Sequence, residues 1–139
     1  MTGDMRLVID PIGVVRSSLR RRKNAPRNAT DGAPAAVLDI DERFAAALNG
    51  VQAGMDLIVV TWLHHGDRDT LEVNPGRDRT RPLTGVFATR SPDRPNPIGI
   101  HRVSVTAIDA PSRVHVAALE AIDGTPILDL KVAIDSQDA

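Results

Sequence analysis

Short apolar runs of β-strand length recur along this chain, and residues with turn chemistry separate them. The runs are RLVIDPIGVVRS, AAVLDI, DLIVVTWLHH, TGVFATR, IGIHRVSVTAID, RVHVAALEAI and PILDLKVAI. They are rich in Val and Ile, and IGIHRVSVTAID alternates in the manner of a half-buried strand. Six or seven strands at this spacing predict an all-β fold, either an antiparallel sandwich or an antiparallel barrel.

Only one segment has a convincing helical pattern. In DERFAAALNG, Asp41 is suited to cap the N-terminus of a helix and Gly50 is suited to end it. A helix of about two turns is therefore predicted between them. The length suits one domain, so we expect residues 1–139 to form a single unit.

The chain contains few aromatic residues and no cysteine. Aromatic side chains make up 2% of the residues, so the core has to be built from Val, Ile, Leu and Ala. The lack of cysteine excludes disulfides and thiolate metal sites. The start MTGDMRLVID has an acid where a signal peptide needs basic charge, and no apolar stretch is long enough to span a membrane. We therefore expect a cytoplasmic protein.

Positive charge is concentrated in two segments, although the net charge is −1. Residues 16–27 contain six basic side chains and no acid, and residues 77–102 contain six arginines and two aspartates. If the fold places both segments on one face, that face is suited to the phosphates of RNA. The alternative is that LRRRKNAPRNATDG, residues 19–32, forms a mobile, solvated loop.

The segment RSPDRPNPIG, residues 90–99, combines three prolines with two arginines and an asparagine. Pro92, Pro95 and Pro97 restrict the backbone, so the loop loses little entropy when it becomes ordered. It presents carbonyls, guanidinium groups and an amide on a preformed backbone, which is what recognition of a polar ligand requires. The alternative is a rigid turn between two strands.

A second polar cluster, TWLHHGDR, ends a predicted buried strand. Adjacent residues of a strand point to opposite faces, so His64 and His65 would not bind one metal ion together, and no metal is expected. One of the two histidines is expected to face a pocket. The segment DGTP, residues 123–126, has turn chemistry, and no glycine motif for a dinucleotide or a phosphate loop is present.

Together, PIGVVRS, TWLHHGDR, GVFATRSPDRPNPIG and DGTPILDLK resemble the TsaA-like (YaeB-like) family over nearly the whole chain. The resemblance implies a small antiparallel β-barrel with one short helix, rather than a Rossmann sheet, and a homodimer. It also implies an S-adenosyl-L-methionine-dependent methyltransferase of the TrmO type. Such enzymes methylate N6 of the threonylcarbamoyladenosine beside the tRNA anticodon.

The resemblance also implies which residues form the site. The expected contacts of S-adenosyl-L-methionine are Pro26, Arg27, Asn28, His64, His65, Arg90, Ile100, Asp123, Gly124, Thr125 and Pro126. The candidates for accepting a proton from the adenine amine are the catalytic residues His64, His65 and Asp123. The expected contacts of tRNA are Arg20, Arg21, Arg22, Arg94 and Asn96.

Three departures from the family pattern leave the methyl acceptor open. Asn28 stands where relatives usually carry Gln, and Val132 and Ala133 stand where they often carry Pro and Tyr. The chain also stops where the bacterial enzymes continue into a further domain. Two alternatives follow: a methyltransferase that acts on a small molecule, and a non-catalytic module that binds S-adenosyl-L-methionine.

Overall fold

The computed structural model describes residues 5–21 and 32–134. Short strands dominate it, with three short 3-10 helices between them, as the all-β prediction requires. The strands are β1 (Gly13–Ser17), β2 (Ala36–Ile40), β3 (Asp56–Trp62), β4 (Glu72–Val73), β5 (Thr84–Gly85), β6 (Ile98–Asp109), β7 (Arg113–Val116) and β8 (Pro126–Val132). The helices are η1 (Glu42–Leu48), η2 (Pro75–Arg77) and η3 (Val86–Ala88).

Six strands form a closed antiparallel barrel in the order β1-β2-β7-β6-β3-β8, and the pairing of β8 with β1 closes it. The remaining strands, β4 and β5, form a separate two-stranded sheet. The register shifts once between β3 and β8 and once between β6 and β7. Such bulges bend a strand and help a small sheet to close. Of the two architectures that the strand pattern allowed, the chain adopts the barrel.

The core of the barrel consists of Val, Leu, Ile and Ala side chains, as the composition predicted. Strand β6 shows the alternation clearly, because His101, Val103 and Val105 are buried while Ile100 and Ser104 are exposed. Removing a Val, Leu or Ile side chain from water stabilises the fold by about 1.5–3 kcal/mol. One aliphatic core therefore suffices without any aromatic side chain at its centre.

The predicted helix is present as η1, a 3-10 helix. Asp41 caps it, because its Oδ1 accepts a hydrogen bond from the backbone N–H of Arg43 at 3.1 Å. Phe44 and Leu48 pack from η1 against the core. The helix ends at Leu48, two residues before Gly50.

Three predicted strands are shorter in the structure. The run TGVFATR is a strand only at Thr84–Gly85 and then turns into η3, so its prediction as one strand was wrong. The first run is a strand only over Gly13–Ser17, and RVHVAALEAI only over Arg113–Val116. An apolar run marks residues that favour a strand, but only a pairing partner determines how far the strand extends.

The antiparallel order places each loop at one of two ends of the barrel, which we name after the ends of β3. At the Trp62 end, β1, β3 and β7 finish while β2, β6 and β8 begin. At the Asp56 end lie η1 and the turn between β6 and β7. Among the described residues, no helix has the length and apolarity needed to cross a membrane.

Candidate functional site

Three segments with predicted ligand contacts meet at the Trp62 end of the barrel. The histidine turn, residues 63–68, follows β3; the proline loop, residues 90–97, precedes β6; and the DGTP turn, residues 123–126, leads into β8. Strand β3 lies between β6 and β8 in the barrel. The closure of the barrel therefore makes neighbours of segments that are far apart in the sequence.

The side chain of Arg94 stabilises the proline loop through three hydrogen bonds to backbone carbonyls. Its Nη1 donates to the carbonyls of Thr89 and Ser91, both at 3.0 Å, and its Nη2 donates to the carbonyl of Val86 at 2.8 Å. Prolines supply no N–H, so a proline-rich loop depends on side-chain donors to satisfy its carbonyls. Arg94 thus has a structural part, and its predicted contact with RNA stays a prediction.

The histidine turn and the proline loop are bonded into one unit. The N–H of Leu63 donates to the carbonyl of Pro97 at 2.6 Å, and the N–H of Arg94 donates to the carbonyl of Asp67 at 2.9 Å. In return, the N–H of Asp67 donates to Oδ1 of Asp93 at 2.9 Å. Each of the two segments therefore holds the backbone of the other in place for ligand binding.

Arg68 joins the same unit; it ends the TWLHHGDR cluster but was not among the predicted site residues. Its Nε donates to the carbonyl of Pro95 at 2.7 Å, and its Nη2 donates to Oδ1 of Asn96 at 3.0 Å. Its guanidinium lies over the ring of Trp62, 5.1 Å from the centroid. Asn96 is thus engaged within the protein, and its predicted contact with RNA is untested.

The two histidines lie beside each other. Because β3 ends at Trp62 and the chain then turns, the rings of His64 and His65 have centroids 4.2 Å apart and planes at 52°. The expectation that they point to opposite faces was wrong, since it assumed that the strand continues through them. Among the described residues, no group of three or more His, Asp or Glu side chains is arranged to hold a metal ion.

His64 has a perturbed acid–base equilibrium. Partial shielding of its ring from water lowers the pKa of His64 below the usual 6.5, and the charge of His65 lowers it further. A hydrogen bond with the backbone of Trp62 opposes both effects. The residue is exposed as a whole, so the shift comes from the shielded side of the ring. The imidazole of His64 therefore favours its neutral form more strongly than an ordinary histidine does.

The DGTP turn is anchored to the end of β1. Oδ1 of Asp123 accepts a hydrogen bond from the N–H of Ser17 at 3.0 Å, and Oδ2 pairs with Nη1 of Arg20 at 3.3 Å. The backbone N–H groups of Asp123 and Gly124 donate to the carbonyls of Leu19 and Val15. Arg20, which was predicted to contact RNA, therefore forms an ion pair with Asp123, which was predicted to contact the cofactor.

The remaining predicted residues occupy different environments. Arg90 is exposed and makes no hydrogen bond or ion pair within the part of the chain that the structure describes, and Arg21 is exposed. Ile100 lies on the outer face of β6 and is 49% exposed. Thr125 is buried, and its Oγ1 donates to the carbonyl of Ile122. Arg22, Pro26, Arg27 and Asn28 lie outside the described residues.

Two cavities lie at the Asp56 end, away from these residues. One, of about 600 Å³, is polar and is lined by residues 39–42 and 109–113. The other, of about 360 Å³, lies beside η1 and has Phe44, Leu48 and Leu130 in its lining. None of the predicted cofactor residues lines either cavity.

Comparison with known proteins shows to which family the chain belongs. The model of the tRNA-methyltransferase O N-terminal domain matches residues 14–139. The chain belongs to this family. The resemblance drawn from the sequence motifs is thereby confirmed, as is the predicted fold.

Members of the family with sequence similarity to the chain include two named for a ligand. One is the probable S-adenosyl-L-methionine-binding protein VirR of Rhizobium radiobacter, 38% identical over 120 residues, which are 86% of this chain and 67% of VirR. The other is the S-adenosyl-L-methionine-binding protein of Archaeoglobus fulgidus, 36% identical over 126 residues, which are 90% of this chain and 88% of that protein.

A solved structure of the family has a similar fold. The crystal structure of TrmO from Pseudomonas aeruginosa matches with a TM-score of 0.76 at 28% identity. The match covers 97% of this chain but 59% of the TrmO chain. The present chain therefore spans less than two thirds of the length of that relative.

Proposed function

We propose that this protein is an S-adenosyl-L-methionine-dependent methyltransferase that methylates N6 of threonylcarbamoyladenosine beside the tRNA anticodon. Membership of the tRNA-methyltransferase O family and the names of its relatives support this proposal. The observation that carries it is the convergence of the histidine turn, the proline loop and the DGTP turn at the Trp62 end of the barrel. Such an enzyme would act in the cytoplasm.

The residues at this end suit the proposed cofactor. S-Adenosyl-L-methionine supplies an activated methyl group, and the protein has to bind and align it. Arg90 is exposed and has no acidic partner in the described segments, so its guanidinium is available for the methionyl carboxylate. The rigid backbones of the proline loop and the DGTP turn provide carbonyl oxygens, which suit a positively charged sulfonium.

His64 is the best candidate for accepting the proton that the adenine amine loses. A general base has to be unprotonated at the working pH, and the lowered pKa of His64 meets this condition. Both carboxylate oxygens of Asp123 already accept hydrogen bonds, from Ser17 and Arg20. We therefore assign Asp123 to holding the DGTP turn rather than to proton transfer.

The proposed tRNA contact is supported by unpaired positive charge. Arg77, Arg79, Arg81 and Arg90 are exposed, and none of them forms an ion pair with another described residue. RNA binding relies on cations that are free to neutralise phosphates. These four side chains are better placed for that than Arg20, which is paired with Asp123.

We also propose that the protein is a homodimer. Ile98 and Ile100 are 40% and 49% exposed on the outer face of β6, where they pair with Trp62 and Val60 of β3. An apolar outer face of this kind is typical of a surface that a second copy covers. Sedimentation as a monomer at micromolar concentration would contradict this assignment.

The decisive experiment offers two forms of tRNA to the protein together with S-adenosyl-L-methionine. One form carries threonylcarbamoyladenosine and the other does not, and the nucleosides are then analysed by mass spectrometry. We expect one methyl group on the modified adenosine alone. The Arg90→Ala variant should lose transfer, while Arg43→Ala, which removes an ion pair with Asp41 far from the site, should retain it.

A second candidate function is a module that binds S-adenosyl-L-methionine without transferring its methyl group. It is favoured by the names of the two relatives described above, VirR and the Archaeoglobus fulgidus protein, which describe binding only. In the same experiment, tight binding with no transfer to any RNA would support it. A methyltransferase that acts on a small molecule is the third candidate. It would be supported if the protein consumes S-adenosyl-L-methionine without methylating either form of tRNA.

A further inference from the structure

A buried chain of hydrogen bonds lies directly beneath the candidate site. Oγ1 of Thr61 contacts Nε2 of His101 at 2.7 Å, and Nδ1 of the same ring contacts Oε1 of Glu120 at 2.5 Å. Thr61 is fully buried, His101 is 6% exposed, and the side chain of Glu120 is 15% exposed. Such a chain inside an otherwise aliphatic barrel calls for an explanation, because buried polar groups are costly unless they are all paired.

The proton positions follow from the partners. A carboxylate only accepts hydrogen bonds, so Nδ1 of His101 carries the hydrogen that points to Glu120. With a neutral ring, Nε2 then accepts the hydroxyl hydrogen of Thr61. In this tautomer every polar hydrogen of the chain has an acceptor. A carboxylate that orients a neighbouring imidazole in this way also selects its tautomer.

Each member of the chain belongs to a different element of the site. Thr61 is the last inward-facing residue of β3, with only Trp62 between it and the histidine turn, and His101 follows the proline loop in the first part of β6. Glu120 lies on the segment that leads from β7 to the DGTP turn. The three hydrogen-bonded residues therefore connect the bases of all three segments.

Gly99 shows how tightly this connection is packed. A Cβ at Gly99 would lie 2.5 Å from Oγ1 of Thr61 and 2.7 Å from Nε2 of His101. Gly99 lies within a regular strand, and the side chains of Thr61 and His101 fill the space beside it.

We propose that His101, oriented by Glu120 and bonded to Thr61, is a positioning residue that holds the three site segments in the geometry that binds S-adenosyl-L-methionine. This inference rests on the proposed function. Thr61, His101 and Glu120 would contact no ligand themselves. They would act by holding in place the three segments that do. The test therefore needs readouts that a general contribution to packing would not change.

The first test exchanges Thr61 in two ways. Thr61→Val keeps the volume and removes the hydroxyl, whereas Thr61→Ser keeps the hydroxyl and removes a methyl group. If Thr61 only fills space, Thr61→Ser is the more harmful change. For a positioning role, calorimetry should show that Thr61→Val binds S-adenosyl-L-methionine about tenfold more weakly, as expected for one buried hydrogen bond, while Thr61→Ser stays close to the parent.

The second test uses Glu120→Gln and a matched control. Ser112→Ala also removes one buried hydroxyl hydrogen bond, from Ser112 to the carbonyl of Ile40, but at the Asp56 end. We expect it to lower the melting temperature without changing affinity. Glu120→Gln should weaken affinity, because it replaces the charge-assisted hydrogen bond to Nδ1 of His101 by a neutral one, and nitrogen-15 NMR of the parent should show that Nδ1 of His101 carries a hydrogen.

The outcomes separate this inference from the proposed function. A parent protein that does not bind S-adenosyl-L-methionine overturns both. If the parent binds S-adenosyl-L-methionine, and Thr61→Val and Glu120→Gln bind it as tightly as Ser112→Ala does, the positioning role alone is overturned. An Nε2–H tautomer of His101 in the parent would also overturn it.

Discussion

The imidazole of His64 differs from an ordinary surface histidine in its affinity for protons. Its shielded ring and the nearby charge of His65 both disfavour the imidazolium form, and together they exceed the opposing effect of the Trp62 backbone. The folded protein therefore binds this proton more weakly than the unfolded chain does. As the pH falls below about 6.5, the unfolded chain binds the proton first, and the free energy of unfolding decreases.

We predict that His64 titrates in NMR spectra with a midpoint below 6.5. The exchange His65→Ala should raise this midpoint, because it removes both a neighbouring charge and part of the shielding. His115, which pairs with Asp109 away from the site, should give the same NMR signals in the parent and the variant, which checks that the exchange acts locally. A midpoint of His64 that falls in the variant would contradict the electrostatic explanation.

The proline loop is held in place by its contact with the histidine turn as well as by its prolines. Gly66 is the point of closest approach, since a Cβ there would lie 2.3 Å from the carbonyl oxygen of Pro92 and 2.9 Å from Cβ of Pro97. Both contacts involve atoms of a constrained backbone or ring that cannot move aside individually. A larger residue at this position therefore has to separate the two segments.

We predict that Gly66→Ala lowers the free energy of unfolding by about 1–3 kcal/mol, the usual cost of overpacking. It should also weaken the binding of S-adenosyl-L-methionine, because it displaces both segments of the site. Gly85→Ala is the matched control, since its Cβ would meet nothing within 4 Å. Urea unfolding and calorimetry measure the two quantities, and equal behaviour of both variants would refute the proposed coupling.

Charge is distributed unevenly over the protein as a whole. Arg16, Arg43 and Arg113 pair with Asp39 or Asp41, whereas Arg77, Arg79 and Arg81, in the connection between β4 and β5, form no ion pair within the described segments. The basic cluster Arg20, Arg21 and Arg22, which the sequence predicts to contact RNA, is unsuitable for a clean test. Its first member supports the DGTP turn through Asp123.

We predict that exchanging Arg77, Arg79 and Arg81 for Ala weakens tRNA binding. The slope of log affinity against log salt should become shallower by about one for each phosphate that the variant no longer neutralises. Exchanging Arg43, Arg113 and Lys131 for Ala removes the same charge from paired positions outside both basic segments and serves as the control. Equally weakened binding in the two triple variants would mean that net charge alone, and not this surface, attracts the RNA.

The sequence by itself was sufficient to locate the strands of the barrel, although not their ends, and to predict the aliphatic core, the Asp41 cap and the family. These features depend on residues close together in the chain, such as alternating side chains in β6 or a cap and its helix. The tertiary structure alone decided that TGVFATR turns into a helix after two residues, that the two histidines share a turn, and that Asp123 holds Ser17 across 106 residues. It also decided that His101, Thr61 and Glu120 meet. Their contacts form only when the barrel closes, and no local pattern specifies which distant partner a polar side chain will have.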